Sequence, residues 1–169
     1  IRIVGSLKLN AFSTPVDKTF ADQLRVAAGS RPILLAASTH SPEEQILLKA
    51  SQEVVRAGYP HLLIIAPRHS DRSQDIARLM PQAAHRSKNQ LPLLGDNHFL
   101  ADTFGEMNSL VTAADIVILG GSFVPKGGHN PLEIAALSTP LITGPSQFKN
   151  KVEFDTLQQY GQCITVKDG

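Results

Sequence analysis

With 169 residues, 42% of them hydrophobic, the chain can bury one substantial core, and a single domain over residues 1–169 is expected. Charged residues make up 18%, the net charge is +1, aromatics are 5% and Trp is absent, so neither the basic face nor the stacking platforms of a nucleic-acid binder are expected. One cysteine, Cys163, excludes an internal disulfide, and no apolar run approaches the roughly 18 residues of a membrane span.

In chain order, Ile1-Arg2-Ile3-Val4 reads as a short strand. Val16 to Ala28 has helical spacing through Phe20, Leu24, Ala27 and Ala28, and Gly29 suits its end. Ile33 to Ala37 is an apolar run of strand length. Ser41-Pro42-Glu43-Glu44 reads as a capping box that opens a helix to about Ala57, with Ile46, Leu47, Ala50 and Val54 inward. Leu62 to Ala66 is the next strand, with Pro67-Arg68-His69 at its C-terminal end, and a short helix follows from Asp71 to Leu79. In residues 83–99 the pattern is weak: Pro92-Leu93-Leu94 offers a strand and Gly95 to His98 a loop. Gly105-Glu106-Met107 begins a helix to Ala113, and Ile116 to Leu119 is a buried strand. A helix from Pro131 to Leu137, a strand at Leu141-Ile142-Thr143, a helix from Lys151 to Gln159 and a strand from Cys163 to Val166 complete the chain. No signal peptide is visible. Both ends read as cut, since no initiator Met stands before the first strand and the last residues follow a strand at once, so a piece of a longer protein is expected.

This alternation predicts an α/β fold, a Rossmann-like parallel sheet with helices on both faces. In such sheets ligands bind beyond the C-terminal strand ends, so Ser38-Thr39-His40, Pro67-Arg68-His69 and Gly120-Gly121 are expected on one rim.

The stretch from Gly120 to Glu133, GGSFVPKGGHNPLE, concentrates the chemistry. Glycines, Lys126 and a helix start suggest a phosphate site, because glycine lets backbone approach a ligand and a helix start offers free N–H groups. It is neither a P-loop, since Pro125 precedes Lys126 and Gly127 follows it, nor a dinucleotide fingerprint. Asn130-Pro131-Leu132-Glu133 is also a complete capping box, and local chemistry favours that role for Glu133 over a sugar ligand. Arg68 could clamp a phosphate or be a solvated surface residue. His40, His69 and His129 could meet at the rim, but no spacing indicates a metal and no Asp-x-Asp suggests a bridging cation. Glu106 is explained by the dipole of its helix, Lys8 has no local distinction, and no nucleophile elbow marks a hydrolase.

The same stretch resembles the signature of 3-deoxy-D-manno-octulosonic acid (Kdo) transferases, enzymes of the lipopolysaccharide inner core. Further family marks follow in order: Gly5-Ser6-Leu7-Lys8, Ser38-Thr39-His40 with Glu43-Glu44, Ala66-Pro67-Arg68-His69, Asp102 to Glu106, and Gly144-Pro145 with Phe148 and Asn150. Ser6 departs from the family's usual Asn. The resemblance implies the C-terminal, donor-binding half of a GT-B glycosyltransferase, with the acceptor domain absent from this chain. It implies CMP-Kdo as donor, a lipid A precursor as acceptor, inversion at the anomeric carbon, and neither metal nor cofactor. It also implies a place at the cytoplasmic face of the inner membrane, reached through an N-terminal half that supplies a glutamate base. Carried onto this sequence, it makes Lys8 a transition-state stabiliser. It assigns CMP contacts to Pro67, Arg68, Gly105, Glu106 and Met107, with Gly127, Gly128 and His129 in the same site. Asn130, Pro131, Leu132 and Glu133 would hold phosphate and ribose, which reverses the local preference for a cap at Glu133. The alternatives are a nucleotide-binding regulatory module and one half of a UDP-sugar epimerase.

Overall fold

The structure, a computed structural model, describes residues 15–167. The expected strand at Ile1 to Val4 and the loop carrying Lys8 lie outside the described residues. Helix α1 (Lys18–Ala28) starts where the Asp17 carboxylate accepts from the Phe20 N–H at 3.1 Å and ends at Gly29, whose φ of 62° suits glycine. Strand β1 (Ile33–Thr39) leads to α2 (Glu43–Arg56), and β2 (Leu62–Pro67) leads through a 3₁₀ turn (Ser70–Arg72) to α3 (Ser73–Leu79). After β3 (Ala84–His85) and β4 (His98–Leu100) come α4 (Met107–Ala113) and β5 (Ile116–Leu119). Helix α5 (Leu132–Ala135), β6 (Leu141–Thr143), α6 (Lys151–Gln159) and β7 (Cys163–Thr165) complete the fold.

The strands form one seven-stranded sheet in the order β3-β4-β2-β1-β5-β6-β7, and every pair is parallel. Alternate residues of a strand point to opposite faces, so one apolar run feeds two cores. Ile33, Leu35, Leu62 and Ile64 meet Phe20, Leu24, Leu110 and Phe154 on the face of α1, α4 and α6. Ala36, Leu63 and Ile65 meet Leu47, Leu48, Ile76 and Met80 on the face of α2 and α3. Each fully buried Leu, Ile or Phe contributes about 1.5–3 kcal/mol. Asp115, at the start of β5, accepts from both Arg25 guanidinium nitrogens and from the Ile33 N–H at 2.7 Å, which ties α1 to the sheet.

Several expectations need correction. Pro92-Leu93-Leu94 is not a strand: Leu93 and Leu94 are exposed, and Pro92 has no N–H for a ladder. The strand forms instead at His98–Leu100, where pairing with Leu63 to Ile65 buries Phe99 and Leu100 completely. The capping box at Ser41 is not made: Pro42 is the N-cap without a side-chain bond, and Glu43 and Glu44 turn inward. The buried face of α2 uses Leu47, Leu48 and Ser51, because Ser51 Oγ meets His61 Nε2 at 2.7 Å, while Val54 is left exposed. The helix expected from Pro131 to Leu137 is the single turn α5.

Candidate functional site

The chain runs from β1 outward to β3 on one side, then returns to place β5 on the other side of β1. Strand order therefore reverses between β1 and β5, and a crevice opens beyond their C-terminal ends. A cavity of about 230 Å³ lies there. Ala37 and Ser38 of β1 and Leu119 of β5 form its floor, Met107, Asn108 and Val111 of α4 one wall, and His129, Asn130, Glu133 and Ile134 the other, with Arg68 at the mouth.

Tight backbone geometry shapes the floor. Ser38 has a left-handed φ of 55°, where β1 pairing slips between Ala37 and Thr39. Its carbonyl faces Gly120 so closely that a Cβ there would sit 2.3 Å from Ser38 O. Glycine at 120 is thus required by close backbone approach.

The amides of the glycine stretch are mostly used inside the protein. Gly120 N–H donates to Ala37 O at 2.8 Å, Gly127 N–H to Ser146 Oγ at 3.0 Å and Gly128 N–H to Gly121 O at 2.8 Å. Gly121, Ser122 and Phe123 N–H all donate to the Glu43 carboxylate, at 2.8–3.1 Å. Gly127 and Gly128 lie against Phe148, Lys149 and Phe154, where any Cβ would clash. These donors therefore meet acceptors within the protein. The Glu133 and Ile134 amides, at the start of α5, meet no acceptor among the described residues.

His129 is half-buried in the wall of the site. Its Nε2 lies 2.9 Å from His40 Nε2 with the rings stacked, and His69 packs edge-on to His40. Burial first, then the neighbouring His40 and Arg68, push the His129 pKa down to about 4. Burial also lowers that of His40, against a smaller opposing pull from Glu43. Near neutrality both rings are uncharged, one donating its proton to the other.

The arginines among the described residues differ in whether they meet a carboxylate. Arg72 pairs with Glu44, Arg86 with Glu106 and Arg25 with Asp115, whereas Arg68 has no carboxylate partner among the described residues. The Glu133 carboxylate likewise makes no hydrogen bond among the described residues. It does not cap α5: the Leu132 N–H donates to Asn130 Oδ1 at 3.2 Å instead.

Of the residues singled out from sequence, the cavity brings together Arg68, Met107, His129, Asn130 and Glu133. Pro67, Gly105, Gly127, Gly128, Pro131 and Leu132 are not part of its lining, and Lys8 is outside the described residues. Glu106 stands at the N-cap of α4 rather than in its first turn, and accepts from Arg86 Nη2 at 2.6 Å and from Thr103 Oγ1. Burial acts to raise its pKa, but the bonds from Arg86 and Thr103 outweigh that and hold it low. Sequence reasoning placed Ser38 on the rim but missed Asn108 in the lining and the role of Glu43. Only the three-residue interval between His40 and Glu43 hinted at the last, since a glutamate so placed can reach back to the His40 N–H. Among the described residues no group of His, Cys, Asp and Glu side chains could hold a metal ion, and no helix is long and apolar enough to cross a membrane.

Comparison with known proteins places these features in context. No family model matches the chain. A 3-deoxy-D-manno-octulosonic acid transferase of Haemophilus influenzae is 38% identical over 154 residues, covering 88% of this chain and 36% of that protein. The enzyme of the same name from Rickettsia conorii is 31% identical over 170 residues, covering 98% of this chain and 36% of that protein. The chain thus spans a little over a third of the length of these curated relatives. Among solved structures, the C-terminal CMP-Kdo binding domain of WaaA from Acinetobacter baumannii superimposes with a TM-score of 0.79 at 29% identity, over 89% of this chain and 81% of that one.

Proposed function

The chain belongs to the 3-deoxy-D-manno-octulosonic acid transferase family, its counterpart of known structure being a C-terminal CMP-Kdo binding domain, and on that premise we propose that the cavity between β1 and β5 binds CMP-Kdo for transfer of Kdo. The observation that carries the reading is the pairing of two unsatisfied groups across one small cavity. Among the described residues, Arg68 is a cation without a carboxylate partner and Glu133 a carboxylate without a donor. CMP offers what each lacks: a phosphate for the guanidinium and a pair of ribose hydroxyls for the carboxylate.

In this reading the open Glu133 and Ile134 amides face the phosphate beside Arg68, and Met107 and Val111 supply the apolar wall. The bond between the anomeric carbon and the phosphate oxygen breaks, and the electron pair leaves with CMP. Positive groups at that oxygen stabilise the charge as it develops, which lowers the barrier of the step. The family resemblance adds Lys8 to this proposal as a further cation. A hydroxyl of a lipid A precursor attacks from the opposite face, so the configuration inverts. A leaving group with one phosphate has no diphosphate to be bridged, and the reaction needs no metal ion. Acceptor binding, the general base and attachment at the cytoplasmic face of the inner membrane belong to the part of the relatives' length that this chain does not match.

Calorimetric titration of the chain with CMP and with UDP tests the donor assignment. CMP should bind the more tightly; UDP binding at least as tightly would overturn it and favour a UDP-sugar epimerase half. Transfer of Kdo to a lipid A precursor by residues 1–169 alone would overturn the division of labour.

A further inference from the structure

We propose that Glu43 is the positioning residue of this site, an internal anion seated among the first amides of the glycine stretch that sets the wall carrying His129. Its side chain is completely buried, and both oxygens are used twice. Oε1 accepts from the Ser122 and Phe123 N–H groups at 3.1 and 2.9 Å, and Oε2 from His40 and Gly121 at 2.9 and 2.8 Å. Three consecutive amides converging on one anion form the kind of concavity that elsewhere holds a phosphate. Here the chain fills it from the first residue of α2, 78 positions before Gly121.

The consequence reaches the cavity by two routes. Through the His40 amide the carboxylate holds the turn after β1, whose imidazole stacks on His129. Through Gly121 it holds the residue whose carbonyl accepts the Gly128 N–H at 2.8 Å, next to His129 in the chain. One carboxylate therefore joins both halves of the histidine pair, which come from loops on opposite sides of the strand-order reversal. It also reserves the amides of residues 121–123, so a bound phosphate is left with Arg68 and the start of α5. This part rests on the CMP reading of the cavity; the clamp itself does not.

Two variants of the chain separate these statements. Glu43→Gln keeps the shape, but its single acceptor oxygen can serve only two of the four donors, and its NH₂ group confronts the others. Glu43→Ala removes a group equivalent to acetate, which can then be supplied from solution. The amide resonances of Gly121, Ser122 and Phe123 should move in both variants and return towards native positions when acetate is added to Glu43→Ala, but not when chloride is added at the same ionic strength. CMP affinity should fall by at least about tenfold in Glu43→Gln, as expected for losing bonds to a charged acceptor, and recover with acetate in Glu43→Ala. Unchanged amide resonances in Glu43→Gln, or acetate and chloride acting alike on Glu43→Ala, would overturn the clamp. CMP affinity within twofold of native in Glu43→Gln would overturn its positioning role. Failure of the native chain to bind CMP would instead strike the proposed function and leave the amide test standing.

Discussion

Replacing Arg72 with methionine removes the counter-charge of Glu44 while keeping most of the apolar stem. The Glu44 side chain is 1% exposed and the Arg72 side chain 24%. Two guanidinium nitrogens reach the carboxylate at 2.8 and 3.0 Å, and Thr39 Oγ1 adds a third bond at 2.7 Å. In Arg72→Met only the threonine bond and a backbone bond remain for a buried carboxylate. Breaking such a pair from one side costs roughly 3–5 kcal/mol, and water reaching the partly open arginine side favours the lower end, about 3 kcal/mol. For a chain of this size, that corresponds to a fall in Tm of roughly 6–12 °C. Urea denaturation of Arg72→Met, Glu44→Gln and the double variant measures the coupling directly, and the double variant should lose less than the sum of the singles. The pH dependence has a definite sign. Burial raises the Glu44 pKa, but the bonds from Arg72 and Thr39 outweigh it, so the folded value lies below the ordinary one. The native chain therefore has this stabilisation above the ordinary carboxylate range and loses it as pH falls through the folded pKa. Without Arg72 burial is opposed only by Thr39 and the backbone, so the penalty of the variant should be largest near neutrality and shrink in acid. A cost below about 1 kcal/mol, the range of a surface ion pair, would refute the reasoning.

Glu133→Gln separates ligand from cap: CMP affinity should fall by about tenfold or more with Tm unchanged, whereas loss of a cap would cost about 1 kcal/mol of stability. Gly120→Ala would bring a Cβ to 2.3 Å from Ser38 O, so β1 and the start of the glycine stretch must separate. A loss of about 1–3 kcal/mol or more in equilibrium denaturation is expected, and an unaltered midpoint would contradict the close approach. His129 binds a proton near pH 6.5 when unfolded but only near pH 4 when folded, so stability should decline as pH falls between those values. Denaturation of His129→Asn across that window should show a shallower decline; identical slopes would count against a half-buried, neutral His129.

The amino-acid sequence alone determined the elements that announce themselves locally. Ile33 to Ala37, Leu62 to Ala66 and Ile116 to Leu119 are apolar runs buried on both faces of a parallel sheet, and their reading needs no distant partner. Gly29 closes α1 because a left-handed residue is a one-position requirement. From these runs the common rim of Ser38, Arg68 and His129 followed, and the cavity lies there. The shortest strands could not be read this way. Ala84–His85 and His98–Leu100 are too brief to carry a period and exist through pairing with each other and with β2, while Leu93 and Leu94, with the better apolar pattern, remain in solvent. The site's chemistry divided along the same line. That Arg68 and Glu133 come to one crevice beyond the strand ends was legible from their places at element ends. That they meet no charged partner among the described residues, while Glu106 is held by Arg86 from 20 residues away, was decided by which charges folding brings together. The amides of residues 121–123 were settled by tertiary structure alone: hydrogen bonding is indifferent to sequence distance, and the acceptor that fills them comes from Glu43, across the sheet's central strands.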